Sequence, residues 1–155
     1  MADKMISILY IDDELNNIQS FKATFRLKYD VHIAISGEEA KNILEKNPHI
    51  EVIITDQRMP NMTGVEFLES IIEKHPDPIR MLLTGYTDYS ALIDAVNKGK
   101  IFHYMSKPWI EEEIVKAVEV AHELYEKREA EKQYTDKVLL VNSQLEFLLR
   151  QKLLS

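Results

Sequence analysis

Residues 52–64 read VIITDQRMPNMTG, an apolar run that ends abruptly in Asp56. The apolar part, residues 52–55, is about the length of a strand and is rich in β-branched side chains, and polar and turn-forming residues follow it. A strand with almost no polar residue is typical of a parallel sheet that is covered on both faces. The segment therefore predicts a buried parallel strand that carries an acid at its carboxyl end.

Four further runs have the same character, being short, apolar and bounded by polar or turn residues. They occupy residues 6–11, 31–35, 80–84 and 101–105. The first of them meets Asp12, Asp13 and Glu14 directly, so an acidic end is not confined to the run at 52–55.

Amphipathic segments of helical period separate these runs. Ser36 and Glu39 have the spacing of a capping box, which predicts a helix that runs to about Lys46. The proline pair of residues 76–78 is expected to end the next helix, and Gly99 the one after it. The apolar face of the first helix is marked by Leu15, Ile18, Phe21 and Phe25, that of the helix ended by the prolines by Val65, Leu68, Ile71 and Ile72, and that of the helix ended by Gly99 by Leu92, Ile93 and Val96.

The order of these segments is a β-strand followed by an α-helix, repeated five times. Parallel strands joined by right-handed helical crossovers form a doubly wound sheet with helices on both faces. The sequence therefore predicts an α/β fold with five parallel strands, (βα)5. In such sheets ligands bind beyond the carboxyl ends of the strands, so the residues that follow each run are the candidate site.

Five side chains at the strand ends stand out chemically: Asp12, Asp13, Asp56, Thr84 and Lys107. The fold would gather them at one edge of the sheet. Three carboxylates in one small site repel each other, and a hard divalent cation such as Mg²⁺ relieves that repulsion. A carboxylate can also attack phosphorus to give an acyl phosphate, and phosphoryl transfer demands mainly positioning and charge neutralisation.

Composition excludes several other classes of site and protein. The 155 residues suffice for one domain with a real core, and the absence of cysteine excludes disulfides and thiolate zinc sites. A formal net charge of -7 argues against direct nucleic-acid binding. The amino terminus lacks a signal-peptide pattern and no stretch of roughly 18 apolar residues occurs, so a cytoplasmic protein without membrane spans is expected. The five histidines are scattered without metal-ligand spacing, which favours surface or packing roles.

Four motifs together resemble the response-regulator receiver family of two-component signalling: ILYIDDE, VIITDQRMPNMTG, MLLTGY and YMSKPW. The resemblance covers about residues 5–126, and its specificity comes from finding all four motifs in order, each at a predicted strand end. It implies a flavodoxin-like sheet of strand order 2-1-3-4-5. It also implies phosphorylation by a sensor histidine kinase or a phosphotransfer protein, with Mg²⁺.

The resemblance implies a role for each acid. Asp56 matches the phosphoacceptor, and it also contacts the metal. Asp13 matches the direct Mg²⁺ ligand of the acidic pair, while Asp12 is expected to act partly through water. The backbone carbonyl of Arg58 matches the remaining protein ligand.

The resemblance also implies a switch. Lys107 matches the lysine that pairs with the phosphoryl oxygens, and Pro108 after it suggests a cis peptide bond. Thr84 matches the hydroxyl that moves towards the phosphoryl group, and Tyr104 the aromatic residue that then turns inward. Gly64 and Gly85 fit the tight turn after the phosphoacceptor loop and the small position beside the pocket. The long side chains of Arg58 and Tyr86 are placed to shield the acyl phosphate from water.

The chain continues beyond the receiver-like part, which is expected to span residues 1–125. The last helix is expected to start at Trp109–Ile110 and to continue through residues 126–155 without proline or glycine. A heptad seam in this tail predicts a coiled-coil-like homodimer, with docking on another protein as the alternative. The seam consists of Tyr134, Val138, Val141, Leu145 and Leu148.

Particular residues argue against two rival functions. An aspartate-nucleophile phosphatase of the haloacid dehalogenase type requires an acid two residues after the nucleophile, where Arg58 stands. A degenerate receiver that acts only as a scaffold would lack the phosphoacceptor or the lysine, and both are present. The chemistry expected is therefore self-phosphorylation and autodephosphorylation rather than turnover of a separate substrate. A stand-alone regulator is favoured, and an amino-terminal receiver fragment of a larger regulator is the alternative.

Overall fold

The computed structural model describes residues 4–85 and 89–154, and in them five β-strands alternate with five α-helices. The strands are β1 Ser7–Ile11, β2 Asp30–Ala34, β3 Val52–Asp56, β4 Ile79–Thr84 and β5 His103–Ser106. The helices are α1 Leu15–Phe25, α2 Gly37–Lys46, α3 Gly64–Ile71, α4 Tyr89–Asn97 and α5 Glu111–Leu154. All neighbouring strands pair in parallel in the order β2-β1-β3-β4-β5, which confirms the predicted (βα)5 doubly wound sheet.

The core lies on both faces of the sheet. On one face, the apolar side chains of α1 and α5 pack against alternate residues of the central strands, with Phe21, Phe25 and Val118 at the centre. On the other face, α2, α3 and α4 cover the remaining residues around Phe67 and Leu68. Side chains alternate between the two faces of a strand, so a strand covered on both faces must be apolar throughout.

Full burial holds for β1 and β3 only. Every residue of these two strands is buried and β4 has one half-buried residue, Arg80, whereas β2 and β5 contain exposed residues. β2 and β5 are the edges of the sheet, so each has a neighbouring strand on one side only. The expectation that all strands are buried on both faces was therefore wrong for the two edges.

Several local predictions also differ from the structure, among them Ile93, which was expected on the apolar face of α4 and is 52% exposed. Strand β5 begins two residues later than predicted, at His103, although Ile101 is buried and Phe102 already donates its N–H to the carbonyl of Arg80. Leu15 is 60% exposed and does not belong to the apolar face of α1. The first turn of α1 lies at the carboxyl edge of the sheet, where the strands that would cover it end.

Two helix boundaries follow the predicted local signals, whereas α3 ends at Ile71, five residues before the first of the prolines that were expected to end it. The Ser36 hydroxyl accepts a hydrogen bond from the Glu39 N–H at 3.2 Å, as expected for the amino-terminal cap of α2. Thr63 caps α3 in the same way through the N–H of Glu66. Gly99 has a φ of 73° just after α4, a conformation that a residue without Cβ adopts at no steric cost.

Helix α5 is unusually long, at 44 residues, which is about 66 Å. Its buried residues end at Ala121, and an ion pair of 3.6 Å between Lys132 and Asp77 lies further along. Beyond this pair the predicted seam residues are all exposed, from 38% at Val138 to 70% at Tyr134. Among the described helices, none has the length and apolarity needed to cross a membrane.

Candidate functional site

The three predicted acids meet at the carboxyl edge of the sheet. Asp12 directly follows β1 and Asp56 ends β3, and these two strands are neighbours. One carboxylate oxygen from each of Asp12, Asp13 and Asp56 lies within 4.8 Å of the other two. Asp12 and Asp56 are buried, whereas Asp13 is exposed at the rim. The predicted clustering is confirmed.

Lys107 supplies the positive charge in this cluster. Its Nζ lies 3.1 Å from Oδ1 of Asp56 and 3.8 Å from Oδ2 of Asp12. Its backbone N–H donates to the carbonyl of Thr84 at 2.9 Å, which holds the residue at the end of β5. The Lys107–Pro108 peptide bond is cis, as predicted. A single ammonium thus faces two buried carboxylates.

The electrostatics of the pair follow from its burial. Burial raises the pKa of the Asp56 carboxyl above its ordinary value, and the charges of Asp12 and Asp13 act in the same direction, while Lys107 opposes them. Burial works to lower the pKa of Lys107, but its hydrogen bond with Asp56 and the attraction of Asp56 and Asp12 outweigh it, so this pKa is raised. The site therefore holds its ammonium charged and would gain from a further cation.

Asp12 is held by a set of donors that the sequence did not reveal. Its Oδ2 accepts from the Tyr10 hydroxyl at 2.9 Å and from the Asn17 side chain at 3.1 Å, and its Oδ1 accepts from the Glu14 N–H at 3.0 Å. Tyr10 is fully buried and stacks on Phe21 with ring centroids 4.0 Å apart. Tyr10 precedes Asp12 by two residues, so a strand places both on one face. That spacing is the one signal the sequence offers for Tyr10, and any core residue two positions before Asp12 shares it.

Thr84 and Tyr104 lie on the two strands beyond β3. Thr84 ends β4, is buried, and its hydroxyl donates to the Gly85 carbonyl at 3.0 Å. Tyr104 lies on β5 in register with Leu82, is 39% exposed, and its ring stacks on that of His103 with centroids 6.3 Å apart. The hydroxyl of Thr84 thus faces a backbone carbonyl and the ring of Tyr104 faces outward.

The loop after β3 is fixed by close backbone packing. A Cβ on Gly64 would lie 2.4 Å from the carbonyl oxygen of Asp56, so only glycine fits there. The buried Gln57 side chain accepts a hydrogen bond from the N–H of Val65 at 3.0 Å. Arg58 lies in this loop with an exposed side chain.

Open space surrounds the position where Gly85 would carry a Cβ. No described contact therefore requires a small residue there, and the role of Gly85 beside the pocket stays a prediction. Tyr86, predicted to shield the pocket, lies outside the described residues.

The residues present fit a hard divalent cation. All three acidic donors are oxygens within 4.8 Å of one another, and Lys107 is the cation paired with them in the described ion pairs. Mg²⁺ prefers oxygen ligands and is commonly bound by one or two carboxylates together with phosphate oxygens and water. The donor set therefore matches the predicted cofactor.

Comparisons with known proteins identify the family to which the chain belongs. The profile of the response regulator receiver domain family matches residues 8–119. The hydrogenase transcriptional regulatory protein HoxA from Cupriavidus necator is 37% identical over 123 residues, which are 79% of this chain and 25% of that protein. The Bradyrhizobium diazoefficiens HoxA is 34% identical over 77% of this chain and 24% of its own length. The chain thus spans about a quarter of the length of these curated relatives.

Solved structures show the same fold. A response regulator receiver domain protein from Clostridium thermocellum is 32% identical with a TM-score of 0.71, and the alignment covers 76% of this chain and 94% of that one. The crystal structure of adenylate cyclase from Rhodopirellula baltica aligns with a TM-score of 0.82 at 27% identity, over 84% of this chain and 97% of that one.

Proposed function

Because the chain belongs to the response regulator receiver domain family, we propose that it is a phosphorylation switch whose phosphoacceptor is Asp56. One observation carries this proposal: the buried carboxylate of Asp56 lies 3.1 Å from the Lys107 ammonium and within 4.8 Å of two further acids. An attacking carboxylate, a fixed positive charge and a set of oxygen ligands are the parts that phosphoryl transfer to an acid requires.

The transfer forms an acyl phosphate. An Oδ of Asp56 attacks the phosphorus of a phosphohistidine on a sensor histidine kinase or a phosphotransfer protein, the P–N bond breaks, and the histidine leaves with the electron pair. Lys107 pairs with the negative charge that the phosphoryl oxygens bring. Hydrolysis of the same bond returns the carboxylate. The proposed chemistry is thus confined to the chain's own aspartate, and the chain is not an enzyme for a separate substrate.

Mg²⁺ is the proposed cofactor, held by Asp13, Asp56 and the Arg58 carbonyl, with Asp12 acting partly through water. When bound, it neutralises the charge that collects on the phosphoryl oxygens. Tyr10 and Asn17 hold Asp12 in place through two hydrogen bonds. The carboxylate is thereby oriented before any cation arrives, which lowers the entropy lost on binding.

Thr84 and Tyr104 form the proposed switch. The Thr84 hydroxyl donates only to the neighbouring Gly85 carbonyl in the described contacts, so it can exchange that partner for a phosphoryl oxygen. Its departure from the present position would leave room for the exposed ring of Tyr104 to turn inward. The signal then passes through β5 and α5 to the tail.

The tail is proposed to pair with a second copy of the chain. Its seam residues are exposed and recur at heptad spacing on one long helix, as expected for a two-stranded coiled coil. Docking of the seam on another protein is the alternative outcome. The proposal further places the chain in the cytoplasm, where kinases have ATP, and excludes direct contact with nucleic acid because the net charge is -7.

A second candidate is that the chain is the receiver part of a larger regulator. The observation that favours it is that the chain covers only 25% and 24% of the two HoxA relatives. The mass of the protein isolated from its natural source decides between the candidates. A mass near 18.1 kDa supports a stand-alone regulator, and a much larger one supports the fragment.

Labelling with a small phosphodonor tests the phosphoacceptor. Incubation with acetyl phosphate and Mg²⁺ should add one phosphoryl mass to the intact protein, and alkali should remove it. Asp56→Asn should abolish the added mass, whereas Asp13→Ala should slow labelling and weaken its Mg²⁺ dependence. Full labelling of the Asp56→Asn protein would overturn the assignment.

Tryptophan fluorescence tests the coupling. Trp109 is the single tryptophan of the chain, follows Lys107 by two residues, and packs on Phe21 and Phe25 with ring centroids 5.7 and 5.5 Å apart. A phosphoryl mimic should change its emission in the wild-type protein. The change should be lost in Lys107→Ala, and an unaltered response in that variant would refute the coupling.

A further inference from the structure

A second cluster of metal-ligating side chains lies at the opposite end of the sheet from Asp56. It consists of Glu51, which directly precedes β3, and of His122 and Glu126 on α5. One ligand atom from each of the three lies within 4.8 Å of the other two. Glu51 and His122 are 71 residues apart in the sequence, so no motif spacing predicts that they meet.

Glu51 is held rigidly by the sheet. Its backbone N–H donates to the carbonyl of Ser7 at 3.0 Å, and its carbonyl accepts from the N–H of Ile79 at 2.8 Å. Its carboxylate is only 12% exposed. A buried carboxylate gains strongly from a compensating positive charge, because burial removes the water that would otherwise solvate it.

His122 and Glu126 are positioned by the same helix. The spacing of four residues places both side chains on one face of α5. The preceding residue, Ala121, is fully buried against the core and fixes this turn of the helix. The His122 side chain is 36% exposed and that of Glu126 is 64% exposed, so both can adjust towards a ligand.

One imidazole faces two carboxylates in this cluster. Nδ1 of His122 lies 3.1 and 3.3 Å from the two carboxylate oxygens of Glu51, and Nε2 lies 4.0 Å from Oε1 of Glu126. A neutral imidazole carries one N–H and can satisfy only one of the two acids. A divalent cation bound to one imidazole nitrogen would compensate the charges of both carboxylates, because the exposed Glu126 side chain can move to reach the bound ion.

We propose that Glu51, His122 and Glu126 form a binding site for a divalent transition-metal ion of the zinc type, at the point where the tail helix leaves the domain. Zinc holds nitrogen and oxygen ligands at about 2.0–2.2 Å, which places neighbouring ligands about 3.3 Å apart in a tetrahedron. The 3.1 and 3.3 Å between His122 Nδ1 and the Glu51 oxygens, which are hydrogen-bond distances in the present structure, would need little change to reach that separation. The imidazole selects this class of metal over Mg²⁺ and Ca²⁺, which prefer oxygen ligands.

The space beside the cluster admits the ion and its remaining ligands. A cavity of about 140 Å³ is lined by the three residues together with Ser7, His49 and Lys4, among others. His49 or water can supply a fourth ligand. Lys4 also lines the cavity, and its positive charge, which already acts on Glu51, would oppose a bound cation.

The site would connect α5 to the amino-terminal end of β3. A bound ion fastens the turn at His122 and Glu126 to Glu51, just before the exposed part of the tail begins. Metal at this end and phosphorylation at the other would then act on the same helix. The proposal does not depend on Asp56 being phosphorylated.

Titration of the full chain with Co²⁺ in excess Mg²⁺ tests the site. Mg²⁺ in large excess is added to fill the acidic pocket at Asp56, and the visible absorption bands of Co²⁺ become intense when protein ligands hold it in tetrahedral coordination. One equivalent should bind. The affinity should fall about tenfold or more in His122→Ala, since the loss of a supporting residue alone commonly costs that much. Glu126→Gln, an exposed substitution that should not affect folding, should also weaken binding.

Matched controls separate this site from other metal binding. His103→Ala removes an exposed histidine on β5, and Glu123→Gln changes the same charge elsewhere on α5. Both should bind Co²⁺ as the wild type does. Binding that survives His122→Ala but is lost in Asp13→Ala places the metal in the acidic pocket and overturns the proposal. An absence of binding in the wild-type chain overturns it as well.

Discussion

The substitution Lys107→Ala tests whether the acidic pocket is stabilised by charge. The Lys107 ammonium lies 3.1 Å from Asp56 and 3.8 Å from Asp12, and its side chain is 27% exposed. At an effective dielectric constant of about 20, these separations correspond to attractions of roughly 5 and 4 kcal/mol before the desolvation of the charges is subtracted. Removal of one partner of a buried pair typically costs about 3–5 kcal/mol, because the other charge is left uncompensated. We expect Lys107→Ala to lower the free energy of unfolding by about 3 kcal/mol.

The assay is urea unfolding at neutral pH in EDTA, followed by Trp109 fluorescence and by circular dichroism. The same substitution is then made in an Asp56→Asn background. If charge is responsible, the interaction energy between the two positions should be about 1–3 kcal/mol. Saturating Mg²⁺ should reduce the loss in the single variant, because a divalent cation takes over part of the neutralisation.

Lys74→Ala serves as the matched control. It removes a surface ammonium that is 79% exposed and lies 3.7 Å from Glu45, so it should leave the free energy of unfolding essentially unchanged. If Lys107→Ala costs the same in both backgrounds, the lysine acts through the packing of its aliphatic stem, and the electrostatic reasoning is refuted.

Three further predictions concern the pocket, its loop and the tail. Burial raises the folded-state pKa of Asp56 above its ordinary value of 3.8, so the protein loses stability as the pH rises from 3.8 through the folded-state pKa. Without divalent ions, Asp56→Asn should therefore be more stable than the wild type at neutral pH. Urea unfolding below pH 3.8, where the carboxyl is protonated in both states, should show no such difference. Gly64→Ala should destabilise the protein by about 2–3 kcal/mol, because its Cβ would lie 2.4 Å from a carbonyl oxygen, whereas thermal unfolding of Gly85→Ala should match the wild type. Leu145→Lys should abolish concentration-dependent dimerisation in sedimentation experiments, while Leu139→Lys, outside the seam, should retain it; a wild-type chain that is monomeric throughout would leave the tail as a docking segment.

The local elements could be predicted because their causes lie within a few residues. Ser36 and Glu39 determine the start of α2 by a hydrogen bond across three residues, and Gly99 ends α4 through its own φ angle. The start of β5 could not be predicted in this way. Ile101 resembles a strand residue, but whether it pairs depends on the path that β4 takes beside it.

The site shows the same division. Asp12, Asp56, Thr84 and Lys107 were found from their places at the ends of strands, because parallel strands share one carboxyl edge. The donor that holds Asp12 was not found, since a tyrosine inside an apolar strand has the pattern of an ordinary core residue. Its hydroxyl becomes part of the site only when the end of β1 brings it within 2.9 Å of the carboxylate.

By itself, the sequence determined the five alternating strands and helices, the edge at which the acids meet, and the long helix with its apolar seam. These follow from side-chain periodicity and from hydrogen bonds between near neighbours. Only the tertiary structure decided that Tyr10 supports Asp12, that Tyr104 faces outward, and that Glu51 meets His122 across 71 residues. Such contacts depend on side-chain directions and on surfaces that separate segments create only when they pack together.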